Sequence, residues 1–246
     1  MTDLTGKRAL ITGAARGIGA AIAVELATRG ADVAITYQRS TDSAARVTGR
    51  IRSLGRKAVA IRADSADAAA VTSSVAEAVS HIGGLDILVN NAGVLYSAPL
   101  VETSLDQIDH LIAVNIRSVV LASQAALAYL PDGGRIVSLG SCLAERVAID
   151  YATVYSMSKS ALLSFTRGLA RELGPRGITV NLVHPGPTDT DMNPADSAGA
   201  DGLTGLMALG RYARVGDIAS AVGFLVGPTA GNITGTGITV DGGMNA

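Results

Sequence analysis

Tyr155-Ser-Met-Ser-Lys159 sets a phenol and an ammonium four residues apart. On a helix, positions i and i+4 share a face, so the two groups stand side by side. A free tyrosine titrates near 10, too high for proton work near neutrality. A neighbouring cation lowers it, which makes the pair a candidate acid/base couple. The spacing by itself is weak, because a Tyr and a Lys four apart on a helix usually mean nothing.

A second cluster opens the chain. Thr12-Gly13-Ala14-Ala15-Arg16-Gly17-Ile18-Gly19 joins a first apolar strand to a first helix. Glycines there let the backbone approach a ligand, and a helix N-terminus offers free N–H groups to a pyrophosphate. The spacing is G-x-x-x-G-x-G rather than G-x-G-x-x-G, and the alternative is a plain tight turn. Its place as the first strand–helix turn favours a dinucleotide. An NAD site usually carries an acid about 20 residues further on, for the ribose hydroxyls. Here Tyr37-Gln38-Arg39-Ser40 stands at that point, without an acid. Arg16 and Arg39 suit a 2′-phosphate through paired N–H donors, so the predicted cofactor is NADP(H); the alternative is two solvated surface charges. Lys159 then gains a second task, holding the nicotinamide ribose. Oxidised nicotinamide adds a further positive charge near Tyr155. Cys142 is the one cysteine, read as a buried thiol rather than a nucleophile. His81, His110 and His184 are scattered singly and form no metal-ligand pattern. They are read as surface or packing residues, and no metal is expected.

These residues need a frame that brings them together. The chain alternates short β-like runs with helical ones. The strands are Arg8–Thr12, Asp32–Tyr37, Ala58–Ile61, Leu85–Val89, Arg135–Leu139, Ile178–Val183 and Ile238–Val240. The helices span about Gly17–Arg29, Thr41–Leu54, Asp67–His81, Ser104–Leu130, Val154–Leu173 and Asp217–Val226. Alternation implies βαβ units, right-handed crossovers and a doubly wound parallel sheet of the Rossmann type, covered on both faces, in one α/β domain. Apolar residues form 48% of the 246 and aromatics only 3%, so the core is built of Ala, Val, Ile and Leu. Net charge is −1 with no basic stripe, which argues against nucleic acid and membrane surfaces. Ile218–Val240 carries no charge, but Gly227-Pro228 and Gly231-Asn232 break it, so it reads as helix, turn and strand rather than a span. The polar N-terminus and the lone cysteine point to a cytoplasmic protein. Pro185–Gly202 is the longest irregular stretch; it follows a strand's carboxyl end and reads as part of a substrate lid over about 187–212.

Taken in order, the glycine turn, Asn90-Asn91-Ala92-Gly93, Asn115, Ser141, Tyr155-x-x-x-Lys159 and Pro185-Gly186 resemble a single-domain short-chain dehydrogenase/reductase. The resemblance spans Lys7 to Gly243. It implies hydride transfer between a nicotinamide and a carbonyl/alcohol pair, with Tyr155 as proton donor and acceptor. It implies that Ser141, 14 residues before Tyr155, bonds the substrate carbonyl, with Ser138 as the competing candidate. Asn115 would hold a water that relays protons to Lys159. Asn91, Ala92 and Gly93 would meet the adenosine and ribose side, Asp64 and Ser65 the adenine, and Pro185, Gly186, Thr188 and Thr190 the nicotinamide.

The chain is most similar to 3-oxoacyl reductases and the bacterial carbonyl reductases near them. Acyl-carrier-protein reductases usually carry a basic residue before the fifth strand. This chain has Leu130-Pro131-Asp132-Gly133-Gly134 there, which leaves Arg171 and Arg176 as contacts for an acidic carrier. Leu95, Tyr96, Tyr151 and Met192 are expected to line an apolar substrate pocket. Leu162, Leu163, Phe165, Leu169 and Leu173 give the long helix an apolar face too wide for one buried side. The resemblance implies a homotetramer pairing this helix and the last strand region, Ile238–Met244. The other reading is a nicotinamide-binding sensor that catalyses nothing.

Overall fold

The computed structural model describes residues 3–246. Seven strands form one parallel sheet in the order β3-β2-β1-β4-β5-β6-β7. They are β1 (Arg8–Ile11), β2 (Asp32–Tyr37), β3 (Ala58–Arg62), β4 (Ile87–Asn90), β5 (Arg135–Leu139), β6 (Thr179–Pro185) and β7 (Gly237–Val240). The helices are α1 (Gly17–Thr28), α2 (Thr41–Ser53), α3 (Ala68–Ile82), α4 (Leu105–Ile112), α5 (Ser118–Ala126), α6 (Thr153–Leu173), α7 (Ala200–Thr204) and α8 (Val215–Val226).

Period-two alternation sorts the strand side chains onto two faces. Ala9 and Ile11 of β1, Val33 and Ile35 of β2, and Ile87 and Val89 of β4 pack against α1, α2 and α8. Leu10, Ala34 and Leu88 point the other way, against α3, α5 and α6. Two helix layers thus cover the sheet, and the central strands are apolar on both sides, as a buried parallel sheet requires. The strand order reverses between β1 and β4, which register Ala9 to Ile87 and Ile11 to Val89. Ligands of such sheets bind in the crevice beyond the carboxyl ends at that point.

Four expectations change. The helical run over Ser104–Leu130 divides into α4, a π-helical turn over Ala113–Arg117, and α5. Ser104 caps α4 by a capping box with Gln107, while the π turn serves Asn115, described below. The fourth strand begins at Ile87 rather than Leu85, because Asp86 is occupied at the seam: its carboxylate accepts from Arg8 N at 2.9 Å and Arg8 Nε at 2.7 Å. The stretch read as a structureless lid contains the short helix α7. Finally, much of the apolar face of α6 is used within the protomer: Leu162 packs with Val119 and Leu182, and Leu169 and Leu173 join the α3–α5 core. Leu163 and Phe165 of the same face stay half-buried, so packing within the protomer accounts for part of its width. The uncharged stretch from Ile218 divides into α8, a turn and β7, and among the described residues no helix is long and apolar enough to cross a membrane.

Candidate active site

The crevice at the carboxyl ends of β1 and β4 is a cavity of about 640 Å3. It runs from Arg16, Gln38, Arg39 and Ser40 at one end to Tyr155, Lys159 and Met244 at the other.

The glycine turn forms its floor. Gly13 has φ +63, and a Cβ there would stand 2.9 Å from the Ala92 backbone. A Cβ on Gly19 would stand within bonding distance of the Asn91 amide. That amide donates to Thr12 O at 2.9 Å and Gly13 O at 3.1 Å, while Thr12 Oγ1 accepts from the N–H groups of Asn91 and Ala92. Thr36 Oγ1 accepts from Gly13 N at 3.0 Å. Asn91 is thus spent on lashing β4 to the turn, and Ala92, Gly93 and the turn backbone present the wall. Ala15, Arg16, Gly17 and Ile18 border the cavity with Gly13 and Gly19. This is a backbone cradle that any side chain would fill, and it suits a pyrophosphate.

At the far end of β2, Tyr37, Gln38, Arg39 and Ser40 border the cavity, as do Asp64 and Ser65 beyond β3. Asp64 is engaged by Gln38 Nε2 at 2.7 Å and by Ala66 N at 2.9 Å. Arg39 is exposed and has no ion-pair partner among the described residues. Arg16 faces Asp191 of the lid, Nη1 to Oδ2, at 3.5 Å, with both side chains largely in solvent. Arg16 and Arg39 frame a pocket end with no facing carboxylate from β2.

At the other end, α6 carries Tyr155 and Lys159, as the spacing requires. The Lys159 Nζ lies 5.9 Å from the Tyr155 ring centre and donates to Leu139 O at 2.9 Å. Complete burial pushes Lys159 down to about 8. The phenol departs from expectation: burial raises Tyr155, and the Ser141 hydroxyl opposes that only in part. In the protein alone the lysine does not depress its partner, because its proton is directed to a carbonyl and its own charge is disfavoured by the same burial. Ser141 lies two residues past β5 and caps the short turn Cys142–Ala144, its Oγ accepting from Leu143 N at 3.1 Å. Ser138 lies in the sheet, 1% exposed, where its Oγ accepts from Asn90 Nδ2 at 3.2 Å. Ser141, not Ser138, stands beside Tyr155.

Asn115 sits in the π turn, fully buried. Its Oδ1 accepts from Val94 N at 2.9 Å, and its Nδ2 donates to Val94 O at 2.9 Å and to Ser158 Oγ at 3.0 Å. Ser158 Oγ in turn donates to Tyr155 O at 2.7 Å. The side chain therefore braces α6 against the loop after β4 rather than facing the cavity. Gly93 is pressed between them: a Cβ there would lie 3.3 Å from Lys159 Nζ and 3.4 Å from Asn115 Oδ1.

Pro185, Gly186, Thr188 and Thr190 border the cavity past β6. Thr188 Oγ1 donates to Gly186 O at 2.9 Å, and Thr190 Oγ1 accepts from Asn193 N at 3.2 Å, shaping the start of the lid. Of the expected substrate residues, Leu95 and Met192 line the cavity, but Tyr96 and Tyr151 do not. Tyr151 has φ +63 and is 58% exposed, so its ring points to solvent. The Tyr96 hydroxyl is drawn 2.7 Å from His110 Nδ1. His110 lines the cavity, and His184 is buried beside Ser141, so neither is a surface residue. His81 is, paired with Glu77 at 3.9 Å. Leu203, from the 193–212 loop expected to line the substrate pocket, borders this end, and so do Leu143, Ile149 and Met244, which were not foreseen. Cys142 is buried with its Sγ 3.7 Å from Met244 Sδ, and burial pushes its thiol up to about 11, the inert setting expected of it. Arg176 is tied to the loop before β5, through Asp132 at 3.2 Å and the Leu130 carbonyl. Of the two, only Arg171 is exposed and unpaired among the described residues.

The family model described as enoyl-(acyl carrier protein) reductase matches residues 13–245. A short-chain dehydrogenase from Burkholderia cenocepacia J2315, solved in complex with NADP, is 56% identical with a TM-score of 0.98, covering 99% of this chain and 100% of that one. A blue fluorescent protein from a metagenomic library, solved in complex with NADPH, is 50% identical at TM-score 0.98, covering 99% and 100%. The cyclic-di-GMP-binding biofilm dispersal mediator protein of Escherichia coli (strain K12) is 44% identical over 246 residues, the whole of both chains. The chain belongs to the short-chain dehydrogenase/reductase family.

Proposed function

We propose that this protein is an NADP(H)-dependent oxidoreductase that reduces a ketone, a 3-oxoacyl thioester or a similar carbonyl compound, reversibly to a secondary alcohol. The observation that carries the reading is one cavity with Arg16 and Arg39 at one end and Tyr155 and Lys159 at the other. The glycine cradle fits a pyrophosphate, and the acid-free end of β2 fits a 2′-phosphate held by Arg16 and Arg39. The NADP and NADPH carried by the two solved relatives support that choice. Asp64 and Ser65 would border the adenine, Ala92 and Gly93 the adenosine ribose, and Pro185, Gly186, Thr188 and Thr190 the nicotinamide.

Bound there, the reduced nicotinamide supplies the hydride. The chain's own residues do the rest. Ser141 Oγ donates to the carbonyl oxygen as negative charge develops on it. The Tyr155 phenol gives that oxygen its proton. Lys159, with two N–H donors left after Leu139, holds the nicotinamide ribose and steadies the phenolate that Tyr155 becomes. Reprotonation of Tyr155 runs past Lys159, with a water held at the π turn of Asn115 as the outer donor. The lid over 187–212 closes on an apolar pocket lined by Leu143, Ile149, Leu203 and Met244, which suits an uncharged substrate face. A reducing, cytoplasmic setting agrees with the single buried thiol.

In an NADPH-oxidation assay over a ketone panel, Tyr155→Phe should lower kcat about 100- to 10,000-fold. NADPH affinity should stay within about two-fold. Turnover near that of the unsubstituted protein would refute the role. The relative named for cyclic-di-GMP binding favours a second reading, a nucleotide sensor without turnover. Displacement of NADPH by cyclic di-GMP, with no ketone of the panel reduced, would select it.

A further inference from the structure

We propose that His184 is a positioning residue for Ser141: an imidazole seated in a slot left by two glycines fixes the Ser141 peptide and, through it, the direction of the Ser141 hydroxyl. The inference rests on the reading of Ser141 given above.

His184 lies near the carboxyl end of β6, between β5 and β7, and is 4% exposed. Its Nδ1 stands 3.3 Å from Ser141 N and 3.0 Å from Ser141 O. The ring fits only because both neighbouring strands lack side chains beside it. A Cβ on Gly140 would clash with Nδ1, and a Cβ on Gly237 with Nε2, each closer than any non-bonded contact allows. A glycine within a strand marks such a close approach, and here two of them flank one ring. The Gly140 N–H donates to Val183 O at 2.8 Å. The β5–β6 ladder therefore runs one residue past Leu139, and Ser141 is the first residue to leave it.

The polar atoms of the ring are used unequally. Nε2 has no hydrogen-bond partner among the described residues. An unpaired buried polar atom costs about 1–3 kcal/mol, and an apolar side chain would fill the slot without that cost. What the imidazole adds is Nδ1, and Nδ1 meets only the Ser141 peptide. Either neutral tautomer serves: one donates from Nδ1 to Ser141 O, the other accepts there from Ser141 N. Burial lowers His184 and keeps the ring neutral. With its peptide held on one side and its Oγ accepting from Leu143 N on the other, Ser141 keeps its Oγ where the hydroxyl reaches Tyr155 and the neighbouring Cys142 thiol.

The test compares His184→Leu, which keeps the branching and loses Nδ1, with His184→Asn, whose amide reaches the Nδ1 position. The readouts are kcat with the best ketone of the panel, NADPH affinity and melting temperature. Leu should lower kcat about 10- to 100-fold, a fraction of what loss of an oxyanion donor costs, and Asn should restore most of it. NADPH affinity should not move in either. On a Ser141→Ala background, His184→Leu should add less than about two-fold, because residues that act as a unit are not additive. His184→Met is run alongside in case the Leu variant does not fold. Equal kcat in the apolar and Asn variants, or full additivity with Ser141→Ala, would overturn the proposal. If Ser141→Ala alone turns over like the unsubstituted protein, the reading of Ser141 fails instead.

Discussion

Arg39 and Lys159 put opposite demands on water. Arg39 is solvated and unpaired by any acid, whereas Lys159 is buried and stripped of hydration. The first sets cofactor choice: Arg39→Asp should weaken NADPH about ten-fold or more, the scale of one lost charge-assisted contact. NADH should be unaffected or improved. Fluorescence titration with both cofactors checks this, and equal weakening would sink the assignment. The second sets a pH dependence. Lys159 is held near 8 in the folded chain against 10.5 unfolded. Between those values the unfolded chain binds the extra proton, so stability from this group rises with pH across the window, by at most about 3 kcal/mol. Cys142, raised from 9.0 to about 11, works the other way. The comparison is therefore with Lys159→Met, which should lose the rise when chemical denaturation is followed from pH 7.5 to 10.5. Side-chain types at these positions were legible from sequence. Their charge states were not, because desolvation is set by what packs around them: the downward pull expected from Lys159 is absent, and burial raises Tyr155.

Among the elements, the π turn over Ala113–Arg117 is the least ordinary. An inserted residue widens the turn and swings the Asn115 amide onto both backbone polar groups of Val94. π turns of this kind recur at functional sites. Asn115→Ala would leave those two groups unpaired, at about 2–4 kcal/mol. That corresponds to a fall in melting temperature of roughly 4–16 °C for a chain of this length, measurable by circular dichroism. A change under about 1 °C would mean that water replaces the amide. No pattern in the sequence marks a π turn, since its apolar spacing passes for a continuous α-helix. The strands were legible almost to the residue, because each is a short apolar run between helix signals. The slot around His184 was not: Gly140 and Gly237 become its neighbours only once β5, β6 and β7 are in register. Tyr151 misled for a related reason, since its positive φ, and hence the outward ring, has no signature in residue type.

Over the whole molecule, β7 stands apart. It is an edge strand with alternating exposed residues, unlike the buried strands it adjoins, and Phe224 of α8 is exposed nearby. On the opposite flank Leu105, Ile112, Val120 and Met157 are also exposed. These two surfaces, the second including Met157 of α6, carry the proposal of a homotetramer. Light scattering should give about four times the 24.8 kDa protomer mass, and a monomer mass would rule it out. The strand order has a consequence for how the chain is made. β1 leaves a ribosome well before β4, yet it is a central strand, and Ala9 pairs with Ile87. At about 5–20 residues per second, β4 follows roughly 4–16 s behind. For that interval one edge of β1 stays open, apolar and templating, to whatever other chain is near. The seam that becomes the crevice is thus, during synthesis, an exposed edge that another chain can pair with.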